Sequence, residues 1–587
     1  MFSLGLTTMG TSAAALFEDG RLVAAVEEER LTRIKNDGAF PRAAIAECLR
    51  LGGIGIGDVS EVCVYWRPWQ LGQRLCGTLA KALGSREAAR NVAGRASKIF
   101  LAREAASDRP EDTGSWRDLF RLKTILKRDF PGFSGSVHFV DHHMSHMLYA
   151  EAMRDWPDFV SLSYDGGGET NSTVIAVVRG GRRETLPPHR WPNSLGHFYS
   201  FFTGFLGFRM LEGEYKLMGL APYGKPVFAE ALKVNFLRLL PDGRYRLDTR
   251  LCDYHSALKD VFPPEVDRLL CPRRARDADP TPDQIDLAAS VQAVFEEAQQ
   301  HVLRPVRAAN PDLARLVVSG GCALNVTANG RLLQSGLFDE IIIPPAPHDA
   351  GCAIGAVLVR RSQSGQTPDA EDLEVIRSPY LGAGYDDDAI AAAASTLCGA
   401  IPELLAEERL IDETVRLLAS GLVVAWFQGR AEFGPRALGA RSFLADPRSD
   451  AIRDAINAKI KKRELFRPFA PSVTAEAAPD FFELDQESPY MNVLARVRAD
   501  KAALIPAVTH IDGTARVHTV TRAANPLYHR LLSAFGAETG VPVLLNTSFN
   551  IQEPIVYSPD QAFATFARSG VDALVIGRRI FRREHLA

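Results

Sequence analysis

At 587 residues the chain is too long for one hydrophobic core and predicts roughly two to four domains of about 100–200 residues each. A formal net charge of −3 excludes a global attraction to nucleic acid or anionic membrane, and 46% hydrophobic with 24% charged residues is the make-up of an ordinary globular protein. Eight cysteines (48, 63, 76, 252, 271, 322, 352, 398) without a C-x-x-C pair exclude a zinc ribbon or disulfide framework; with no basic leader and no uncharged apolar run near the ~20 residues that cross a bilayer, a cytoplasmic location is expected.

Residues 3–6, 13–17 and 22–26 predict strands, with Asp19-Gly20 as a hairpin corner and a bend, Thr7-Thr8-Met9-Gly10-Thr11-Ser12, after the first. Such a bend can offer backbone N–H groups and hydroxyls to an anion, and an ordinary connection fits equally well. Residues 27–38 are dense in charge and predict a solvated surface turn, from which Lys35 can reach the same anion. A helix is expected over 43–52 and a strand over 59–66. Residues 81–128 are helical in pattern, with twelve Lys/Arg against six Asp/Glu. With no aromatic platform interleaved, a solvated insertion fits better than an RNA-binding face.

Residues 136–140 predict a strand, and Asp141-His142-His143-Met144-Ser145-His146 opens a helix after it. Side chains four apart share a helix face, so His142 and His146 can close on one metal ion; one core and one surface imidazole is the competing reading. Residues 160–164, then Asp165-Gly166-Gly167-Gly168, then 172–178 read as strand, glycine bend, strand, repeating the logic of the N-terminal hairpin.

Residues 211–224 are mixed glycine, aromatic and charged, and predict an ordered loop. Thr281-Pro282 starts a helix whose stripe of Ile285, Ala288, Val291, Phe295, Ala298 and Val302 faces a core. Two strand, turn, helix units follow. The first runs from 316–318 through Ser319-Gly320-Gly321-Cys322-Ala323-Leu324-Asn325, where backbone can approach a nucleotide. The second runs from 340–343 to the helix 352–361, with Asp349 at its start, a position that also suits a capping aspartate.

Residues 362–377 are the clearest linker and the expected main boundary. Beyond it, residues 428–467 hold ten Lys/Arg against five Asp/Glu, several beside Gly or Pro and mixed with Phe433 and Phe466. Clustered arginines in such turns suit a phosphate-rich ligand better than a surface charge run.

Four motifs, within 212–224, 428–442, 463–472 and 546–550, closely resemble in content and order the NodU/CmcH/TobZ family of O-carbamoyltransferases, and the resemblance covers nearly the whole chain. It implies an α/β protein: an ASKHA-like domain over 1–361, similar to actin-like ATPases and tRNA threonylcarbamoyl transferases, a linker over 362–377, and a YrdC-like domain over 378–587 that forms carbamoyl-adenylate. Lys461-x-Arg463 and Ser548-x-Asn550 match the KxR and SxN signatures of YrdC-type proteins. The resemblance also implies a divalent metal, usually iron, at His142, His146, Asp165 and Asp349. ATP, with Mg2+, would meet Lys35 at a phosphate, Gly320, Gly321, Asn325 and Asn329 on the adenosine side, and the bend at Gly166 and Gly167. Arg436, Arg467 and Arg516 would hold carbamoyl phosphate, while Lys461, Asn546 and Ser548 orient the adenylate, supported by Arg463 and Asn550.

One position departs from the family. Where relatives commonly carry a His-Asp or His-Asn pair, this chain has Met9-Gly10, so the acceptor proton must go to another base or the acceptor must be more acidic. The expected activity is an ATP-dependent O-carbamoyltransferase (EC 2.1.3-type) taking carbamoyl phosphate and the hydroxyl of a small-molecule natural product, with neither nucleic acid nor membrane as partner. Two other readings are a tRNA threonylcarbamoyl-type enzyme, which shares both folds, and a non-catalytic ATPase-fold sensor, which leaves the arginine-rich part without a task.

Overall fold

The computed structural model describes residues 1–71, 116–396, 398, 400–464 and 466–585. Most of the basic segment 81–128 lies outside the described residues; its described end is the helix Trp116–Asp129.

The chain begins with a five-stranded sheet of β1 (Phe2–Thr7), β2 (Ala13–Glu18), β3 (Arg21–Glu27), β4 (Val59–Val64) and β5 (Ser136–Phe139), in the order β3-β2-β1-β4-β5. The first three strands are antiparallel; β4 and β5 join parallel to β1. Asp19 and Gly20 both have positive φ, the conformation of a two-residue turn whose twist matches the strands it joins. Both faces are covered, so β2 reads as a nearly continuous apolar run and β1 is buried along most of its length, its Ser3 and Thr7 included.

A second sheet repeats this plan. It contains β6 (Asp158–Tyr164), β7 (Asn171–Arg179) and β8 (Arg182–Thr185), with β9 (His189–Arg190) also paired to β7; β10 (Leu237–Leu239) and β11 (Tyr245–Leu247) form a separate ribbon; β12 (Arg315–Ser319) and β13 (Glu340–Ile342) complete the sheet. The order β13-β12-β6-β7-β8, with β6, β7 and β8 antiparallel and β12 and β13 parallel to β6, is that of the first sheet. The repeat matters for the site because Asp141, Asp165, Gly320 and Asp349 all lie in the turns that follow a strand's carboxyl end. In α/β sheets ligands bind there.

The helices His142–Glu151 and Cys352–Gln363 lie against each other. A Cβ on Gly355 would stand 1.8 Å from the carbonyl oxygen of Ser145, so only glycine allows this approach. It draws the histidine-bearing helix onto the one that begins beside Asp349.

The rest of the chain builds a nine-stranded sheet: β14 (Val424–Phe427), β15 (Arg441–Ala445), β16 (Ala470–Thr474), β17 (Phe482–Glu483), β18 (Val493–Val497), β19 (Thr514–Val520), β20 (Val543–Ser548), β21 (Ala573–Ile576) and β22 (Arg579–Arg582), ordered β17-β18-β19-β16-β20-β15-β14-β21-β22. It is bolted to the second sheet. Gln486 makes two hydrogen bonds to the backbone of Ile341, at 3.0 and 2.8 Å, and Asn492 Nδ2 donates to Pro344 O at 2.8 Å.

Three sequence expectations change. The stretch 362–377 is not an extended linker: it holds the end of one helix, a turn and the helix Ala370–Arg377, which buries Ile376 while Arg377 pairs with Asp155. Residues 211–224 contain the helix Glu214–Leu220, whose apolar Leu217 and Leu220 are buried. The charged run 27–38 contains the helix Glu28–Thr32 and buries Glu27, Glu28 and Arg30 instead of solvating them, because each finds a partner distant in sequence. Among the described residues no helix is long and apolar enough to cross a membrane.

Candidate active site

Asp141 caps the helix His142–Glu151 by accepting from Met144 N at 2.8 Å, and Arg67 pairs with both Asp141 and Glu169. The first turn is thereby fixed, and His142 and His146, both almost fully buried, project from one face as their spacing predicts. His142 Nε2 lies 3.3 Å from Asp165 Oδ2, and His146 Nε2 lies 3.1 Å from the same oxygen and 3.4 Å from Asp349 Oδ1. One donor atom from each of the four residues falls within 4.8 Å of every other. Two imidazoles and two carboxylates on a common centre fit a first-row divalent metal, and nitrogen with oxygen donors suits iron, manganese or zinc alike. Asp349 is not the cap of its helix; it stands in the short turn Asp349–Gly351 with its carboxylate toward the histidines.

Charge at this end is finely opposed. Burial works against ionising Asp165, but hydrogen bonds from His142 and His146 outweigh it and hold the carboxyl well below its usual range. Burial likewise works against a charged His146, yet the neighbouring Cys352 and the two carboxylates lift its pKa well above the ordinary value. The middle histidine takes another part: His143 has Nδ1 2.9 Å from Ser163 Oγ and Nε2 3.0 Å from the carbonyl oxygen of Asn171, and burial pushes its pKa down to about 3.

A second cluster of charged and polar side chains lies at the same cavity. A wide helical turn, Ile456–Lys461, ends with Lys462 in the left-handed region, which buries Lys461 and leaves Lys462 exposed. Around Lys461 Nζ stand the carbonyl oxygens of Ser548 and Asn550, Ser548 Oγ at 3.3 Å and Asn550 Oδ1 at 2.7 Å. The two signatures thus meet in space. Burial, with Arg463 and Arg467 nearby, pulls the lysine well below its ordinary pKa.

Arg436, Arg463, Arg467 and Arg516 line the same wall. Arg436 Nε, Arg463 Nη2, Arg516 Nε and Asn546 Oδ1 are buried and have no hydrogen-bond partner in the protein. Burial lowers Arg436 to about 10; burial and Arg467 lower Arg463 to about 9; burial and the other three arginines hold Arg516 well below its usual value. Mutually repelling guanidinium groups with unused donors are relieved by an anion among them. Arg467 stacks 4.6 Å over Tyr215 and faces Glu464 at 3.8 Å, and Asn546 is steadied by bonds from Nδ2 to Ala437 O and Ser472 Oγ.

Both groups reach one cavity of ≈ 1610 Å³: Asp165, Gly166, Gly321, Asn325, Asp349 and Lys35 line it together with the arginines and Lys461, whereas His142 and His146 are not among its lining residues. Lys35 sits 3.8 Å from Glu212 and 5.4 Å over Tyr215. Asn325 is at the wall but caps the helix Val326–Gln334 and exchanges two hydrogen bonds with Gln292. Asn329 is not brought to the cavity: fully buried, its Nδ2 donates to Ala323 O and Asn492 O and ties the parts of the chain together. Gly167 and Gly320 are also absent from the wall; a Cβ on Gly320, at φ +88°, would stand 2.1 Å from the carbonyl oxygen of Tyr164, so its requirement is one of packing.

Several further residues stand at or behind the wall, and of these the sequence singles out Met9. The Tyr65 hydroxyl lies 2.6 Å from Thr8 O and 3.2 Å from Asp349 Oδ2. Asn457 accepts from Arg463 Nε at 2.7 Å, and Glu432 Oε1 accepts three amides, those of Leu438, Ala440 and Arg441, ordering the loop of Arg436. Met9 lines the cavity in the left-handed conformation, and His197, stacked 3.7 Å from Tyr254, lies at the same wall. Met9, in its glycine bend, and Glu432, inside a glycine- and arginine-rich motif, carried a local signal; Tyr65, Asn457 and His197 did not.

Residues 3–358 match the family model described as Carbamoyltransferase N-terminus, and residues 415–583 the one described as Carbamoyltransferase C-terminus. The chain is 38% identical over 606 residues to the uncharacterized protein sll1178 of Synechocystis sp., covering 96% of this chain and 94% of that one. It is 38% identical over 583 residues to nodulation protein NolNO of Sinorhizobium fredii (98% and 79%). It is 33% identical over 492 residues to the 3'-hydroxymethylcephem-O-carbamoyltransferase of Amycolatopsis lactamdurans (80% and 85%).

Proposed function

This chain belongs to the carbamoyltransferase family, and from that premise we propose that it activates carbamoyl phosphate with ATP at the arginine-lined wall and passes the carbamoyl group to a small-molecule hydroxyl at the histidine-carboxylate end. The observation that carries this reading is that Asp165 and Asp349, the carboxylates of the histidine cluster, line the same cavity as Lys461 and the four arginines. Within it the duplicated sheets act as an ASKHA-like transfer domain and the nine-stranded sheet as a YrdC-like activation domain.

Carbamoyl phosphate is a sluggish acyl donor because its carbonyl is stabilised by the amide nitrogen. For atoms to balance, water opens its carbonyl–phosphate linkage to give carbamate and phosphate, and a carbamate oxygen displaces pyrophosphate from the α-phosphorus of ATP. The product is carbamoyl-adenylate. Arg436, Arg467 and Arg516 hold the donor's phosphate and the charge that develops as it leaves. Lys461, Ser548 and Asn550 form the cradle for the adenylate, and Asn546, with its free carbonyl oxygen, orients the carbamoyl group.

At the other end the acceptor oxygen attacks the carbamoyl carbon, AMP departs, and the hydroxyl proton leaves with a base or the AMP phosphate. His142, His146, Asp165 and Asp349 are the residues that would hold a divalent metal, iron in the family's pattern, whose chemistry there is that of a Lewis acid. Keeping both steps in one cavity shields the adenylate from water. The test is pyrophosphate release by the full-length chain. Release requiring both ATP and carbamoyl phosphate is expected; release indifferent to carbamoyl phosphate, or none from active, folded protein that still transfers a carbamoyl group, would remove the adenylate from the scheme.

A further inference from the structure

The charged run Glu27-Glu28-Glu29-Arg30 passes from β3 into the seam between the duplicated sheets and the nine-stranded sheet, and the reaction as derived gives it no task. Arg30 is 4% exposed, too buried for a solvating residue. Its Nε donates to Glu27 Oε2 at 3.0 Å, and one Nη donates across the seam to the carbonyl oxygen of Gly434. Glu27 in turn stands 3.5 Å from His348 Nε2, beside Asp349.

Gly434 opens the loop that carries Arg436. A Cβ there, at φ +117°, would stand 2.5 Å from the carbonyl oxygen of Pro345, so the loop presses against the first part of the chain. Glu432 closes the far side by collecting the amides of Leu438, Ala440 and Arg441. The arm between these anchors carries Arg436; Asn546 Nδ2 holds its end at Ala437 O, and Arg30 meets it at its start.

Arg33, at the end of the same short helix, repeats the device on a second loop. Its two Nη atoms donate to the carbonyl oxygens of Ile555, at 2.8 Å, and Pro554. That segment leads back to Glu553, whose carbonyl accepts from Asn550 Nδ2, and Asn550 Oδ1 is the oxygen 2.7 Å from Lys461 Nζ. Thus one helix turn of the ATPase-like part holds both loops that furnish the opposite wall. Burial for stability alone accounts for the ion pair with Glu27, but not for two arginines each ending on a loop that carries donor-side residues.

We propose that Arg30 and Arg33 are positioning residues for the donor site: Arg30 sets Arg436 and hence the binding of carbamoyl phosphate, and Arg33 sets Asn550 and hence the binding of ATP. This rests on the carbamoyl-adenylate reading for which substrate each loop serves, while the positioning itself is independent of it. A guanidinium can serve two acceptors in fixed directions, which a lysine ammonium at the same place does poorly.

The test uses full-length Arg30→Lys, which keeps a positive charge beside Glu27 and Glu29, and Arg33→Met, whose site is less enclosed. Losing a charge-assisted hydrogen bond to each loop should raise the affected KM about tenfold or more. The KM for carbamoyl phosphate rises in R30K and that for ATP in R33M, each with the other KM and kcat little changed. A purely structural role would instead lower melting temperature and active fraction at constant KM, and so would overturn the proposal. Hydrogen exchange without substrates gives the second readout: faster exchange over 434–437 in R30K and over 550–555 in R33M is expected. Wild-type exchange in both loops overturns the positioning even if the wild-type protein proves to release no pyrophosphate, an outcome that would strike only the functional reading.

Discussion

His146 Nε2 and Asp165 Oδ2 stand 3.1 Å apart although they belong to different repeats of the fold, the imidazole on the helix after β5 and the carboxylate in the turn after β6. Asp349 completes the contact from the turn after β13 at 3.4 Å. The cluster therefore exists only where the two sheets face each other.

Metal content tests it first. Purified protein is expected to hold about one transition metal per chain, and a His142→Ala/His146→Ala double variant to lose it, since affinity depends on the full donor set. Elemental analysis decides. Stoichiometric metal retained by the double variant would exclude these imidazoles as ligands.

His146→Ala tests the proposed division into two half-reactions. With the arginine wall untouched, pyrophosphate should still appear from ATP and carbamoyl phosphate, while carbamoylation of any acceptor is lost. A variant of unchanged melting temperature that releases no pyrophosphate would mean that activation depends on the histidine end, and the assignment of one step to each would be wrong.

Arg467→Ala should reduce carbamoyl phosphate-dependent pyrophosphate release about 100-fold or more, the scale of removing one preorganised charge from a site where negative charge develops. Because Arg467 lies over Tyr215 at the cavity wall and not in a core, the thermal transition should hardly move. Unchanged turnover would place the donor elsewhere.

Acid stability tests the seam. Burial works against ionising Glu27, but Arg30 and His348 overcome it and hold its carboxyl at about 2 instead of the ordinary 4.5. A carboxylate held below its unfolded value adds stability above that unfolded value and loses it as pH falls toward the folded one. Glu27→Gln should therefore cost about 3 kcal/mol near neutrality, as a broken buried pair does, and the difference from wild type should shrink between pH 4.5 and 2. Denaturation measured across that range checks it; a constant gap would show that Glu27 does not carry the acid limb.

What the sequence by itself determined is whatever a short window encodes. The four-residue spacing of His142 and His146 places both on one face, the Asp19-Gly20 corner makes its hairpin, and the apolar stripe after Thr281 is buried from Ala288 to Val302, with Ile285 half-buried at its start. The motif around 461–463 and that around 548–550 could each be recognised singly. That Lys461 touches Asn550 is a property of β20 and the wide turn Ile456–Lys461 packed together.

Tertiary structure decided the residues whose meaning depends on a distant partner. Charge in a sequence reads as solvation, yet Glu27 and Arg30 are buried because His348 and the carbonyl of Gly434 lie where water would otherwise be. Asn329 carries the chemistry of a ligand contact but spends it on Ala323 and Asn492, and residues 370–377 have a linker's polarity but a helix's partners. Periodicity and capping act within a few residues and survive in the sequence, whereas desolvation of a charge is settled by groups hundreds of positions away, brought near only when both sheets and the nine-stranded part have closed on one another.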